Sequence, residues 1–215
     1  MLEIEAGELM AEYRPALTPA GRSGLEAEIF LYDTLPGGAG FAGQLADKGP
    51  ELFQRALSLM KTCPEDCDAS CYRCLRSFKN KFEHGQLDRH VGAELLEYLI
   101  TGEMQPFNPR RIRASTALLK QDLERQADGT TFELNKPVTV PGLGDVSIPI
   151  LATRSNGERF AIALSGALTT DHPADPAVVQ MRETWDGLAV IPINELLVRG
   201  NLPAATRSVQ AQIGT

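Results

Sequence analysis

All four cysteines of this chain fall within residues 63–74, in the segment CPEDCDASCYRC, and the other 203 of its 215 residues contain none. Spaced C-x3-C-x3-C-x2-C, the thiols of Cys63, Cys67, Cys71 and Cys74 are close enough in sequence to converge on one ion without help from distant parts of the fold. Four thiolates around zinc make a closed tetrahedral site, with no position left for water or substrate. The spacing therefore predicts one structural Zn²⁺ per chain and points away from a metalloenzyme.

Two other chemistries use clustered thiols. Disulfides require an oxidising compartment, and the N-terminus MLEIEAGELMAEY carries acids where a secretory signal needs a basic start and an apolar core. The chain is accordingly expected in the cytoplasm. An iron–sulfur cluster with a redox or sensing role is the second alternative, because Cys67, Cys71 and Cys74 resemble the triplet of radical SAM enzymes. Those enzymes place the triplet after the first strand of a large α/β barrel, whereas here it follows a helical segment and no run of βα units comes after it.

Beyond the cysteines the charge changes sign. Residues 72–89 hold Arg73, Arg76, Lys79, Lys81 and Arg89 against Glu83 and Asp88, with Tyr72, Phe78 and Phe82 interleaved. Zinc with four thiolates carries a net charge near −2, so these cations either neutralise the site or form a docking face for nucleic acid or a partner protein. His84 is a spare ligand type, expected to hydrogen-bond beside the site. Asp88 and Arg89 read as a helix terminus with an ion pair.

The elements that position these residues can be read from pattern. Residues 27–33, AEIFLYD, make a strand, and residues 51–62 a helix that delivers the chain to Cys63, where Pro64 stops it. Residues 87–100 make a second helix with Leu87, Val91, Leu95 and Leu99 in one stripe and Gly102 beyond its end. Residues 1–28 read as a short strand or two plus a mobile loop. The turn from Leu35 to Gly43 contains Gly38-x-Gly40-x-x-Gly43, which matches the dinucleotide-binding pattern. No second strand ending in an acid follows about 20 residues later, and Gln44-Leu45 stands where a P-loop needs Lys and Ser or Thr, so a tight packing turn is expected. Pro106 and Pro109 bracket a linker between domains 1–106 and 107–215. The second half reads as a helix over 111–126, strands over 131–140, 145–153 and 159–165, an Asn156-Gly157 hairpin signal, a helix over 176–186, a strand over 188–193 and a short helix over 194–199.

Composition agrees with a soluble globular protein: 43% hydrophobic, 23% charged and net charge −7. That charge excludes a chain that coats nucleic acid along its whole surface, although a local basic face remains open. No apolar run approaches the roughly 20 residues a bilayer crossing needs, so no membrane partner is expected.

The phrases LYDTLPGGAGFAGQL and CPEDCDASCYRCLRSFKNKFEHGQLDRHVGAELLEYL closely resemble the MrfA-like zinc-binding domain. That domain stands at the C-terminus of DEAD/DEAH-type superfamily 2 DNA helicases and in related phage-defence components. The resemblance spans roughly residues 25–100 and includes Phe78-Lys79-Asn80, His84 and Leu87-Asp88-Arg89, with Lys81 standing where relatives usually carry Gln. It implies Cys63, Cys67, Cys71 and Cys74 as ligands and a helicase motor, or another defence or repair complex protein, as partner. The chain has no Walker A lysine, DEAD/DEAH box or arginine fingers, so it is no motor itself. Residues 130–200, with the phrases RFAIALSGA and MRETWDGLAVIPINELL, resemble a restriction-endonuclease-like domain of the very-short-patch-repair type. An active member needs an acid at one strand end and acid-x-Lys on the next, to hold Mg²⁺. Asp145 fits the first position, but Ala163 and Ser165 occupy the others, so no catalytic residues are assigned and the domain is expected to be degenerate. The resulting expectation is a small four-cysteine zinc module joined to a three- or four-stranded α/β endonuclease-like domain. It would act as a non-catalytic accessory to a helicase in DNA repair or phage defence. The alternative is a Mg²⁺-dependent nuclease using Asp145, with Glu133, Asp171, Asp175 and Glu183 as acids that could move into its site.

Overall fold

The computed structural model describes residues 7–15, 27–103, 107–126, 129–169 and 172–214. Asp171 and Pro106 lie outside the described residues, as do most of residues 1–28. The chain divides into two compact units, Met1–Glu103 and Met104–Thr215.

In the first unit, β1 (Leu9–Pro15) and β2 (Ala27–Asp33) pair antiparallel, with Leu9 opposite Asp33 and Pro15 opposite Ala27. Two helices follow, α1 (Phe41–Lys48) and α2 (Pro50–Lys61). The glycine turn starts α1, which the sequence reading left out. Asp33 at the end of β2 accepts backbone N–H bonds from Gly40, Phe41 and Ala42 at 3.1, 3.0 and 3.2 Å. A carboxylate of the chain itself thus takes the helix N-terminus that a dinucleotide phosphate would need. The close-packed turn expected from the sequence is instead an open helix start: Gly37, Gly40 and Gly43 have free space where a Cβ would stand, and Gly40, at φ 76, supplies the left-handed backbone it requires.

The third helix, α3 (Arg89–Thr101), starts at Asp88, whose side chain accepts from the N–H groups of His90 and Val91. It ends in left-handed Gly102. It runs beside α2, where Gly92 permits the approach: a Cβ there would lie 2.9 Å from the Met60 sulfur. Lys61 and Glu97 close the pair with an ion pair at 2.6 Å. The residues 62–88 between these helices hold the cysteines.

The second unit is a four-stranded sheet of order β3 (Thr131–Val140), β4 (Gly144–Thr153), β5 (Arg159–Ser165) and β6 (Ala189–Asn194). The first three strands are antiparallel neighbours, joined between β4 and β5 by the Asn156-Gly157 turn, and β5 pairs with β6 in parallel. A parallel neighbour needs a crossover, supplied by α5 (Pro176–Thr184). The remaining helices are α4 (Pro109–Arg125), α6 (Glu195–Gly200) and α7 (Leu202–Ile213). Helices α4, α6 and α7 cover one face of the sheet with Leu119, Leu123, Val198, Val209 and Ile213. Helix α5 covers the other with Val178 and Met181. A strand buried on both faces reads as a continuous apolar run, as FAIAL in β5 does.

The β3–β4 pair turns over part way along. Val146 and Ile148 serve the α5 face, while Ile150 and Ala152 serve the opposite one. A regular strand keeps residues two apart on one side. The switch falls at Pro149, which has no N–H to give a ladder, and at Asn135, whose φ of 49 is left-handed.

Candidate metal centre

Helix α2 delivers Cys63 directly after its last turn, and the loop beyond it closes on itself through short backbone bonds. Asp66 N–H reaches Cys63 O at 3.0 Å, while Cys74 and Arg76 donate to Cys71 O at 3.1 and 2.9 Å. Asp66 takes a left-handed φ of 40 to make the first turn. These turns bring Cys63, Cys67, Cys71 and Cys74 together, with all four sulfurs within 4.8 Å of one another. The separations are 3.8 Å for Cys63–Cys67, 3.6 Å for Cys63–Cys71, 3.6 Å for Cys67–Cys74 and 3.8 Å for Cys71–Cys74. Zinc with bonds of about 2.3 Å to each sulfur sets the edges of its tetrahedron at about 3.8 Å. The sulfurs therefore already stand at zinc's spacing. No disulfide joins any of the four in this structure. A multi-iron cluster distributes its thiolates over separate irons and would hold them farther apart.

Four thiols this close resist ionising together. Burial works against the Cys63 thiolate, yet N–H groups of Glu65 and Cys67 and the thiols of Cys71 and Cys67 bring its pKa down to about 7. Burial and the sulfurs of Cys74, Cys63 and Cys71 push Cys67 up to about 12. Burial raises Cys71 as well. One thiolate forms readily, and the others require a divalent cation in exchange for their protons. Backbone N–H groups of Cys71 and Arg73 already point at sulfur, at 3.2 Å from Cys74 and 3.4 Å from Cys71. The four cysteines hold one zinc ion.

Arg89 is expected either to neutralise the site or to join the docking face, and the structure removes it from the face. The residue is 3% exposed. The guanidinium donates to Cys67 O at 2.7 Å, Met60 O at 2.9 Å and Asp66 Oδ1 at 2.8 Å, and its backbone N–H reaches Ala69 O at 2.7 Å. Burial opposes its charge, but the bond to Asp66 and the sulfurs of Cys67 and Cys63 raise its pKa. Arg89 thus ties the ligand loop to α2 and α3 and places the cation that balances the sulfurs. Its ion-pair partner is Asp66, while Asp88 caps the helix.

The other cations are placed differently. Arg76 is half-buried, with Nε 2.9 Å from Ser70 Oγ. Arg73, Lys79 and Lys81 are exposed. Lys81 Nζ lies 4.8 Å from the Phe78 ring centroid and 4.9 Å from that of Phe82. His84 stands outside the sulfur cluster. Its Nε2 is 3.0 Å from both Ser77 O and Asn80 Oδ1, and Tyr72 packs edge-on against its ring.

In the second unit Asp145, at the start of β4, is exposed and accepts a 2.7 Å bond from Thr139 of β3. The ladder between β4 and β5 spans Ile150 to Thr153, so Asp145 lies beyond it. Ala163 and Ser165 are buried in β5. Glu133 pairs with Lys136, and Asp175 caps α5. Glu183 is exposed on α5. A buried cluster escaped the sequence reading: Arg111 makes a two-pronged pair with Glu195 at 3.0 and 2.9 Å, and Ser115 donates to the same carboxylate at 2.7 Å.

Residues 1–75 match the MrfA Zn-binding domain family. That segment contains every cysteine and ends one residue after Cys74, so the resemblance read from the cysteine segment is borne out there. The chain is also 36% identical, over 218 aligned residues, to Druantia protein DruE of Escherichia coli (strain UMEA 4076-1). The alignment covers 97% of this chain and 10% of that protein, so the chain spans about a tenth of the length of the curated relative it matches. No solved structure matches it. No helix among the described residues is long and apolar enough to cross a membrane.

Proposed function

We propose that this chain is a zinc-stapled, non-catalytic accessory module of a DEAD/DEAH-type DNA helicase complex, acting in phage defence or DNA repair. The zinc-binding match and the likeness to a Druantia protein support the setting. The observation that carries the reading is how little of the first unit is buried. Among its described residues Cys63 and Ala93 are the buried apolar side chains. Met10, Ile29 and Leu31 of the hairpin and Leu95, Tyr98 and Leu99 of α3 are exposed instead. Apolar surface of this kind marks a protein contact. Of the stripe expected to bury α3, Leu87 and Val91 are half-buried while Leu95 and Leu99 stay exposed, open to a larger partner.

The test is purification of the tagged chain from cells that carry its own motor protein. The chain is expected to bring down a DEAD/DEAH-type ATPase, and Ile29→Asp with Leu31→Asp is expected to abolish that capture while zinc content stays at one per chain. Capture that survives both substitutions would reject the hairpin as the contact, and purification without any ATPase would reject the partnership. The absence of catalysis is supported by Ala163 and Ser165 in β5 and by the engagement of Asp145 with Thr139.

A further inference from the structure

We propose that Phe78, Lys81 and Phe82 form a platform for the unpaired bases of single-stranded nucleic acid. This sharpens the reading of a module serving a DNA-translocating complex, yet it is tested without any partner protein, so the two fail separately.

Phe78 is 76% exposed and Phe82 89%, an arrangement that costs free energy unless something covers the rings. Both face the single ammonium of Lys81 from under 5 Å, which holds a cation between two aromatic surfaces. The loop that presents them is braced. Ser77 N–H donates to Asn80 Oδ1 at 2.7 Å, Asn80 Nδ2 donates to Leu75 O at 2.9 Å, and His84 Nε2 bridges Ser77 O and Asn80 Oδ1. A platform fixed beforehand loses little entropy when a ligand lands on it.

The charges beside it are available for phosphate. Cations near a four-thiolate zinc site could exist only to balance it, but that place is taken by Arg89, whose three side-chain bonds all go to the ligand loop and the end of α2. Lys81 lies over the rings instead, and Arg73 is exposed on the same loop. Stacking surface joined to positive charge is how proteins take single strands without reading sequence. A duplex offers its base faces to neither ring, so the platform favours unpaired strands.

The experiment uses the full zinc-loaded chain and fluorescence anisotropy with labelled oligothymidylate and oligouridylate of about 12 nucleotides, against a duplex of equal length. Tight binding of either single strand is expected. Phe78→Ala and Phe82→Ala should each weaken it roughly tenfold while leaving zinc content unchanged. Lys81→Ala should weaken it and lower the salt dependence by about one released counterion. The proposal is overturned by no binding, by equal affinity for duplex, or by phenylalanine variants that hold the single strand as tightly as the parent. Variants that lose the helicase partner but keep full oligonucleotide affinity would overturn it too, and assign the face to protein.

Discussion

Without the Arg89 guanidinium, the carbonyls of Met60 and Cys67 and the carboxylate of Asp66 lose the donor that gathers them. Arg89→Ala is therefore expected to destabilise the first unit by about 1–3 kcal/mol, since two part-buried carbonyls lose a charged donor while the exposed Asp66 carboxylate returns to water. Arg89→Lys should restore only part of this, because one ammonium cannot span three acceptors. Urea unfolding followed with zinc content would show it. Cys71→Ser acts on the metal directly. It is expected to release zinc and unfold residues 60–90, with loss of folding energy on the order of 10 kcal/mol. Full zinc occupancy in that variant, measured by metal analysis, would contradict the four-thiolate site. The ligands were legible because all four lie in one twelve-residue segment, so local spacing alone assembles them. Arg89 was not, because its acceptors at Cys67 and Met60 lie 22 and 29 residues away in sequence. Nothing local distinguishes an arginine that turns inward from one that faces solvent.

Elements with strong local signals were readable to within a residue or two, as β3, β5 and the Asn156-Gly157 turn show. Helix α7 was missed although its signals are present: Asn201 caps it, Pro203 opens it, and Ala205, Val209 and Ile213 share its buried side. Helix α1 was hidden for a better reason, since three glycines precede it, Gly43 sits inside it and its cap comes from Asp33, seven or more residues upstream. The pairing of α4 with α6 was invisible because it depends on Arg111 meeting Glu195 across 84 residues. That pair is two-pronged, shared with Ser115 and closed to water, with Glu195 1% exposed. Glu195→Ala should deprive the buried Arg111 guanidinium of its carboxylate and cost the second unit about 3–5 kcal/mol. The joint replacement of Arg111 and Glu195 by apolar residues of similar volume should cost much less. Thermal unfolding of the two variants, compared side by side, measures the difference.

For the whole chain, a zinc-held unit with open apolar faces is covalently joined to a unit with a complete core on both sides of its sheet. The second unit buries apolar side chains on both faces of its sheet, so what it offers beyond that core is either catalysis or surface. Cleavage of DNA by a metal-dependent fold needs carboxylates converging on Mg²⁺ and a group that handles the proton of the attacking water. Asp145 lies beyond the β4–β5 ladder and is engaged by Thr139, while β5 offers Ala163 and Ser165 where charge would be required. A hydroxyl replaces a carboxylate poorly as a ligand for a hard divalent cation. Glu133 is turned to Lys136 and Asp175 to the start of α5, so neither is spare. The purified chain is accordingly expected to leave both supercoiled and single-stranded DNA intact in the presence of Mg²⁺ or Mn²⁺. Nicking that vanishes in Asp145→Ala would reverse this and make the second unit a nuclease, whereas nicking that survives the substitution would place the catalytic acids elsewhere in the chain.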